Sequence, residues 1–424
     1  YANLSFSHKY SFIEPGHELD SSIQFTRGWE DESYFLNEES PVRIGTDATH
    51  LDATEYTIPV QVDYTRPLAS GRLETGLKYQ KRWIPVTYLV DRGVQSVIYE
   101  GLGDFSDWNE DIYAGYANYV FERPTFDVEA GIRLEQTDVA YEFSAQNIYY
   151  DENDAYDYFE IYPNVRFTWK LNGENSLAVY MNRRVDRPGE PELRIFAKYD
   201  DPELLKVGNP YLRPQFTNNY EVAFQHLWGS GSVIASLYYR DISNAFTRIF
   251  AQDVSNPNYD IVNRIYQNTG DAQHTGLEIL FTQDISDTWR LSGSFNWYNI
   301  QIDEHDVTIL FPFQRDLTIA ASDDDTWEIK VSNEFQLPWE VEAQVSFIYY
   351  ADRAIDQGTQ EARSSLDLGF KKPVFDNRGE INFSFSDVLN DFGLKQNINS
   401  TGFDAIYENY YETQVVNIGL KYWF

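Results

Sequence analysis

Residues 341–349 have the sequence VEAQVSFIY, in which apolar and mostly polar side chains alternate. The odd positions hold Val, Ala, Val, Phe and Tyr, and the positions between them hold Glu, Gln, Ser and Ile. Successive side chains of a β-strand point to opposite faces, so this segment has one apolar and one largely polar face as a strand. The same alternation occurs in residues 232–239 and 381–386 and predicts an all-β chain.

The predicted strands are long, commonly ten or more residues, whereas strands of soluble proteins average about five or six. Aromatic residues make up 17 % of the 424 residues, and Trp289, Trp297, Trp327 and Trp339 lie near predicted strand ends. No apolar run approaches the ~18 residues that a membrane-spanning helix needs. A soluble sandwich or propeller would show the same alternation, but long strands with aromatic residues at their ends favour a transmembrane antiparallel β-barrel.

The connections alternate between short and long. Turn-forming residues mark eight short turns, near 14–16, 66–71, 122–125, 171–175, 229–232, 285–288, 336–339 and 373–379. Long polar connections lie between them, for example at 186–215, 242–274 and 390–411. Because bacterial barrels have short periplasmic turns and long extracellular loops, the long connections are predicted to face outward. The hairpin signals give about seventeen strands.

An odd number of strands does not fit a single-chain bacterial barrel, which closes with an even number. The first predicted strand, Leu4 to Phe12, runs into a short turn, so a further strand is expected before it. An unpaired sheet edge in lipid would also be very costly. We therefore interpret residues 1–424 as one outer-membrane β-barrel domain whose N-terminal strands precede Tyr1.

The chain ends in a strand with apolar residues on one face. Ile418, Leu420, Tyr422 and the final Phe424 alternate with Asn417, Gly419 and Lys421. This arrangement resembles the C-terminal signal that the outer-membrane barrel assembly machinery reads. The alternative is an ordinary edge strand that happens to end in Phe.

Two segments indicate which kind of β-barrel this chain forms: SLAVYMNRRVDRP at 176–188 and GNPYLRPQFTNNYEVAF at 208–224. They resemble the C-terminal barrel of TonB-dependent outer-membrane receptors, most closely the outer membrane β-barrel family. The resemblance covers about residues 54–424. The positions that carry it are Arg184, Arg187, Pro188, Gly208, Asn209, Pro210, Leu212, Pro214, Tyr220 and Glu221.

The resemblance implies a barrel of about 22 strands filled by an N-terminal plug domain. About five strands and the plug would then precede Tyr1. It also implies energised uptake of a scarce nutrient (an iron chelate, oligosaccharide, peptide or vitamin). The implied surroundings are outer-membrane lipid and lipopolysaccharide. The implied partners are an inner-membrane energy-coupling protein that contacts the plug and, as an option, a surface lipoprotein.

Ligand recognition is expected in the long loops and the upper lumen, where aromatic rings stack on ligands and arginines bind carboxylate or phosphate. The candidate ligand-binding residues are Trp108, Arg194, Phe196, Tyr199, Tyr259 and Arg264. The segment at 208–214 has a structural interpretation as well, because Pro210 and Pro214 would stiffen a loop that re-enters a strand.

No catalytic set, metal site or cofactor motif is evident, and the prediction is a protein that is not an enzyme. The six histidines have no partners at metal-ligand spacing, and residues 229–232 (GSGS) are interpreted as a turn. The net charge of −34 argues against nucleic-acid binding. The acidic runs 151–154 and 323–325 are interpreted as solvated loops, with cation binding as the alternative.

Two other functions remain open from the sequence. A passive porin-like channel would have an even-stranded barrel and no plug. A structural or partner-binding barrel of a larger outer-membrane complex would have a permanently sealed lumen.

Overall fold

The computed structural model describes residues 1–40, 43–96, 98–101, 103–144, 148–150, 154–196, 204–253, 261–400, 402–409 and 411–424. Nearly all regular structure is β. The strands are β1 (Ala2–Ser11), β2 (Glu18–Ser40), β3 (Arg43–Leu68), β4 (Gly71–Arg92), β5 (Asp104–Glu122), β6 (Phe126–Phe143), β7 (Ala155–Lys170), β8 (Asn175–Asp186), β9 (Leu204–Val207), β10 (Gln215–Trp228), β11 (Gly231–Ser243), β12 (Phe246–Gln252), β13 (Val262–Asn268), β14 (Ala272–Ser286), β15 (Trp289–Ile302), β16 (His305–Ile309), β17 (Arg315–Ile319), β18 (Ser322–Leu337), β19 (Val341–Tyr350), β20 (Arg353–Ile355), β21 (Gly358–Gln360), β22 (Arg363–Val374), β23 (Gly379–Ser386), β24 (Leu394–Ser400), β25 (Phe403–Asn409) and β26 (Val415–Tyr422). The helices are the single turn α1 (Glu190–Leu193) and a 3₁₀ turn at Pro338–Glu340.

Seventeen strands form one antiparallel sheet, as the sequence predicts. They pair in chain order from β1 to β26, with β9, β12, β13, β16, β17, β20, β21, β24 and β25 left out. Among the described residues, β1 pairs only with β2 and β26 only with β23, so these two strands are the edges of the sheet. The larger barrel of about 22 strands stays a prediction.

All eight predicted short turns are confirmed, and each joins two neighbouring strands of the sheet. The β10–β11 turn, for example, consists of Gly229 and Ser230, and Trp228 pairs with Gly231 across it. The predicted first strand at 4–12 is observed at Ala2–Ser11.

The two faces of the sheet differ in polarity. One outer row contains Val222, Leu237 and Trp297, which are 45 %, 62 % and 39 % exposed. The neighbouring inner row contains Glu278 and Asn296. An exposed apolar face opposite a polar one is the arrangement of a barrel wall in lipid.

Aromatic side chains border the apolar face at two heights. Trp289 stacks on Phe335 beside the short turns, with 5.8 Å between ring centroids. Trp297 is the eighth residue after Trp289 on β15 and faces the same side. At ~3.3 Å per residue the two indoles are about 26 Å apart along the strand. For a strand tilted by about 40° this is about 20 Å along the barrel axis, slightly less than the ~25 Å height of a barrel's apolar band. Trp339, in contrast, is 82 % exposed in a short turn.

The long connections are more structured than the prediction of polar loops suggests. They contain α1 and the nine remaining strands, which form sheets of three, two and four strands. The apolar residues in these connections occur in short and irregular groups, so their pattern in the sequence is weak. No helix in the described part of the chain is long and apolar enough to cross a membrane.

Candidate ligand-binding site

The long connections pack together into a structure that we call the cap. Its apolar core comes from β9, β12, β13, β16, β17 and the connection between β4 and β5. The fully or nearly fully buried members of this core are Ile98, Leu205, Val207, Ile249, Ala251, Ile261, Ile265, Val307, Ile309, Phe311, Leu317 and Ile319. Because these residues come from several different connections, burial of their side chains fixes the loops relative to one another.

Polar side chains also join separate loops of the cap. Gln357, in the β20–β21 turn, donates to the carbonyl oxygen of Phe250 (2.9 Å) and accepts from its amide (2.6 Å). It also donates to the Ser400 hydroxyl (2.8 Å). Tyr99 donates its hydroxyl proton to the Asp253 carboxylate. These bonds link the β12–β13 hairpin to three other connections.

The described residues 187–196 and 208–214 of the connection between β8 and β10 cover the inner face of β3 to β6. Their apolar side chains pack with those of the wall in a second cluster, the rim core. Buried members of the rim core are Leu51, Ala53, Ile84, Val86, Tyr88, Trp108, Val139, Tyr141, Phe143, Tyr150, Leu193, Ile195, Phe196 and Leu212.

The GNPYLRP segment at 208–214 fixes the path of this connection. The Gly208 amide donates to the Arg194 carbonyl (2.9 Å), and the Asn209 amide donates to the Glu192 carbonyl (2.7 Å). A Cβ on Gly208 would lie 2.4 Å from the Arg194 carbonyl oxygen, so only glycine allows this approach. The Asn209 side chain donates to Gln267 (3.1 Å), and Leu212 is completely buried.

The Arg-x-x-Arg-Pro motif at 184–188 contributes to a buried ion network on the inner face. Arg187 pairs with Glu135, and its Nε lies 3.6 Å from Glu110. Arg82 lies 3.3 Å from Glu110 and donates to the Pro188 carbonyl (3.0 Å). The network therefore ties the start of the cap connection to β4, β5 and β6.

The other positions of the family resemblance are placed outside this network. Arg184 is 58 % exposed, and its Nε lies 3.7 Å from Asp186. Pro214 accepts a hydrogen bond from Asn244 (2.9 Å) at its carbonyl. Tyr220 is exposed on the outer face of β10, and Glu221 is half-buried on the inner face. Pro210 is buried and begins the turn that follows β9.

Three candidate ligand residues lie in or beside the rim core. The Trp108 ring, on β5, is 4.5 Å from the Arg82 guanidinium, and its Nε1 has no acceptor among the described residues. Phe196 stacks on Tyr88 with ring centroids 5.1 Å apart. Arg194, also buried, has its own set of partners. All three side chains are already packed against protein groups.

Arg194 is held by carboxylates. It donates to Glu190 (2.7 Å) and pairs with Glu30 of β2. Burial lowers the pKa of Arg194, but the two carboxylates raise it by more, so the net pKa lies above the ordinary value. The Arg194 side chain therefore joins α1 to the wall.

Arg264, the fourth candidate, lies on β13 away from the other three. Its Nη1 donates to the Tyr407 hydroxyl at 2.6 Å, and its guanidinium lies 5.1 Å from the Tyr407 ring centroid. Tyr199 and Tyr259 lie outside the described residues. The structure thus brings Trp108, Arg194 and Phe196 to one region and Arg264 to another.

The C-terminal residues of the predicted assembly signal all face outward on the edge strand. Ile418 and Leu420 are 77 % and 65 % exposed, and Tyr422 is 44 % exposed. Phe424 is fully exposed and contacts Tyr422 edge-on at 5.0 Å.

The described residues contain no group of three or more His, Asp or Glu side chains that could hold a metal ion. The acidic run at 323–325 begins β18 and is therefore not a loop; Asp323 accepts from Asn299 (2.7 Å), and Asp324 accepts from the Ala354 amide (2.6 Å). The run at 151–153 lies outside the described residues, and Asp154 accepts from Tyr141 (2.7 Å).

One Ser–His–Asp contact occurs on the outer face of β2 and β3. Ser33 Oγ lies 3.0 Å from His50 Nδ1, and Asp31 Oδ1 lies 3.7 Å from the same nitrogen. A catalytic triad needs the serine and the carboxylate on different ring nitrogens. This contact is therefore not a proton relay.

The geometry agrees with what comparison with known proteins finds. The model of the outer membrane protein beta-barrel family matches residues 10–422. The chain belongs to this family. A search of the curated proteins finds no match.

Solved structures of outer-membrane transporters and receptors share the fold of this family member. The copper transporter OprC is 12 % identical with a TM-score of 0.65. The ferric-catecholate import receptor Fiu from E. coli K12 is 11 % identical with a TM-score of 0.64, and the siderophore receptor PiuA from Acinetobacter baumannii is 9 % identical with a TM-score of 0.66. Each match covers 99 % of this chain and 63 % of the other chain. The chain thus spans less than two thirds of these structures, and the likeness establishes the fold.

Several residues that shape the site are missed by the sequence analysis. Arg82, Glu110 and Glu135 form the ion network with Arg187, and Tyr407 binds Arg264. Glu110 and Glu135 lie at inner-face positions of β5 and β6, and their neighbours in sequence are mostly polar, as in Asn109-Glu110-Asp111. Buried carboxylates require partners, but the local sequence does not distinguish these glutamates from solvent-exposed ones.

Proposed function

We propose that this chain is the barrel portion of a TonB-dependent receptor that imports a scarce nutrient across the outer membrane. The observation that carries the proposal is the match of 99 % of this chain to one part of solved uptake receptors and a transporter. In this proposal an N-terminal plug blocks the lumen. The plug contacts the inner-membrane energy-coupling protein.

The cap supports a receptor over a passive channel. A porin-like channel needs a continuous water-filled path, whereas twelve buried apolar residues pack the long connections against one another here. Such a core excludes water and holds the loops in one arrangement. We propose that ligand binding rearranges the cap or uses a surface on it.

The substrate class in this proposal is an iron chelate, an oligosaccharide, a peptide or a vitamin. Trp108, Arg194, Phe196 and Arg264 are proposed ligand contacts, together with Tyr199 and Tyr259. Because the first three are packed against Arg82, Glu190 and Tyr88, contact with a ligand there requires the rim core to open. Lipopolysaccharide and a surface lipoprotein are proposed neighbours of the outer face and the cap.

The test uses the full-length protein in planar lipid bilayers, together with a strain that lacks its gene. A receptor predicts no steady conductance, and slower growth of the deletion strain when one nutrient is limiting. A stable conductance that scales with salt concentration, with unchanged growth on every limiting nutrient, would show a passive channel instead. Normal growth without any conductance would favour a structural barrel, which stable co-purifying subunits would then identify.

A further inference from the structure

Arginines without carboxylate partners are concentrated in one sector of this acidic protein. The chain has 67 acidic and 33 basic residues, so acidic groups outnumber basic ones by about two to one. Of the seven arginines between residues 240 and 363, only Arg290, at a short turn, forms an ion pair with a described residue, Asp284 at 2.7 Å. The other six arginines of this range have no carboxylate oxygen within 4.0 Å among the described residues: Arg240, Arg248, Arg264, Arg315, Arg353 and Arg363. In the rest of the described chain, the arginines without an ion pair are Arg27, Arg66, Arg123, Arg166 and Arg378, so such arginines are a minority there.

Two of these arginines lie on the same face of the β12–β13 hairpin. Arg248 pairs with Tyr266 across the hairpin, and Phe250 pairs with Arg264. The Arg248 guanidinium lies 4.6 Å from the Tyr266 ring centroid, and the Arg264 guanidinium lies 5.1 Å from that of Tyr407. The opposite face of the hairpin packs into the cap core through Ile249 and Ile265. The face with the arginines is therefore fixed in position.

The two guanidinium groups affect each other. Arg264 is 9 % exposed, and burial together with the positive charge of Arg248 lowers its pKa. Arg248 itself is exposed. A buried cation beside a second cation is electrostatically unfavourable unless an anion or strong acceptors compensate. Here Arg264 donates a hydrogen bond to the Tyr407 hydroxyl. The Tyr407 ring lies beside the Arg264 guanidinium, and the Tyr266 ring lies beside that of Arg248.

The polar surface continues from Tyr407 across the sheet of β20, β21, β24 and β25. The paired positions next to Tyr407 are Gln396, Gln360 and Arg353. Arg353 donates to Gln360 at 3.2 Å, and its Nε is buried without an acceptor among the described residues. This row adds amide groups and a third guanidinium to the same part of the cap.

We propose that the face formed by Arg248, Arg264, Tyr266 and Tyr407 binds the oxyanion group of a small anionic ligand. The two guanidinium groups bind a carboxylate or phosphate, and the two tyrosine rings contact a planar part of the ligand. Binding supplies negative charge that the described residues around the two guanidinium groups do not supply. The inference rests on the proposed function, because it names the chemical class of the imported molecule as anionic.

Among the residues that the structure describes, no acidic group already fills this role. Glu192 influences Tyr266 electrostatically, but its Oε2 accepts the amide of Gly189. Arg248 and Arg264 form no ion pair with Glu192 within 4.0 Å. Arg194, in contrast, is a cap arginine whose pair with Glu190 lies within the protein.

The test measures binding of isophthalate, an aromatic dianion, to the full-length protein in detergent by ligand-observed NMR. Its neutral diamide, isophthalamide, is the matched control at the same ionic strength. We expect wild type to bind isophthalate and not isophthalamide. Arg248→Gln and Arg264→Gln should each weaken binding about tenfold or more, since a charge-assisted hydrogen bond is lost. Arg290→Gln, whose arginine is paired at a short turn, should bind like wild type.

Arg248 is exposed, so Arg248→Gln tests the site even if the buried Arg264→Gln variant fails to fold. Equal binding of isophthalate by wild type and Arg248→Gln, or equal binding of isophthalamide, would overturn the inference. Either result would leave the proposed function intact, provided that uptake of the nutrient by cells still depends on energy. Anion binding by a protein that conducts passively would overturn the receptor and retain the anion site.

Discussion

Replacing Arg187 by glutamine removes one positive charge from a network in which two carboxylates are almost fully buried. The side chains of Glu110 and Glu135 are each 3 % exposed, whereas that of Arg187 is 19 % exposed. Breaking a buried ion pair costs about 3–5 kcal/mol when the remaining charge is left uncompensated. Here Glu110 keeps Arg82 at 3.3 Å, and Glu135 keeps Arg133 at 2.6 Å. We therefore expect Arg187→Gln to lower the free energy of unfolding by about 3 kcal/mol, the lower end of that range.

The assay is urea unfolding of the full-length protein in lipid vesicles, with Arg184→Gln as the control. Arg184 lies three residues away, but its side chain is 58 % exposed and that of its partner Asp186 is 46 % exposed. Such a surface pair contributes about 0–1 kcal/mol. Adding Glu135→Gln to Arg187→Gln should restore part of the loss, because it removes a carboxylate that has lost a partner. A loss for Arg187→Gln no larger than that for Arg184→Gln would refute the reasoning.

Three further changes test other parts of the structure. Gly208→Ala should destabilise the cap by about 1–3 kcal/mol, because the added methyl group overpacks it, and the cap should then be cleaved faster by protease. Gly229→Ala should not change the cleavage rate, because a Cβ at Gly229 would lie in open space. Gln357→Leu should speed hydrogen exchange in β12, measured by mass spectrometry, because bonds to its backbone are lost. Val222→Arg on the lipid face should cost about 2–4 kcal/mol in urea unfolding from bilayers, and Glu221→Arg on the inner face much less; equal losses would contradict the assignment of faces.

The wall of the sheet could be predicted from the sequence because strand periodicity is local. In VEAQVSFIY the odd-numbered side chains are assigned to one face and the even-numbered ones to the other. These residues form the observed strand β19, Val341–Tyr350. The short turns could be predicted for the same reason, since Gly, Pro, Asn and Asp mark them within a few residues. The order of the strands followed from the alternation of short and long connections.

The cap could not be predicted, because its contacts join residues that are distant in sequence. Arg264 and Tyr407 are separated by 143 positions, and Gln357 and Phe250 by 107. The periodicity of side chains along a strand does not predict contacts between residues that are so far apart in sequence. The ion network around Arg187 was also missed, since a glutamate on a strand looks the same in sequence whether it faces solvent or a buried arginine. The sequence makes Arg264 a candidate ligand-binding residue only because it is an arginine in a long connection. Its neighbour Arg248 is not among the candidates.

Accumulation of the ligand in cells distinguishes the proposed energised uptake receptor from a passive or structural barrel. Cells with the full-length protein should accumulate the ligand against its gradient. A protonophore, or loss of the inner-membrane energy-coupling protein, should abolish that accumulation without changing ligand binding at the surface. Uptake that equilibrates with the medium and continues at the same rate in de-energised cells would contradict the account.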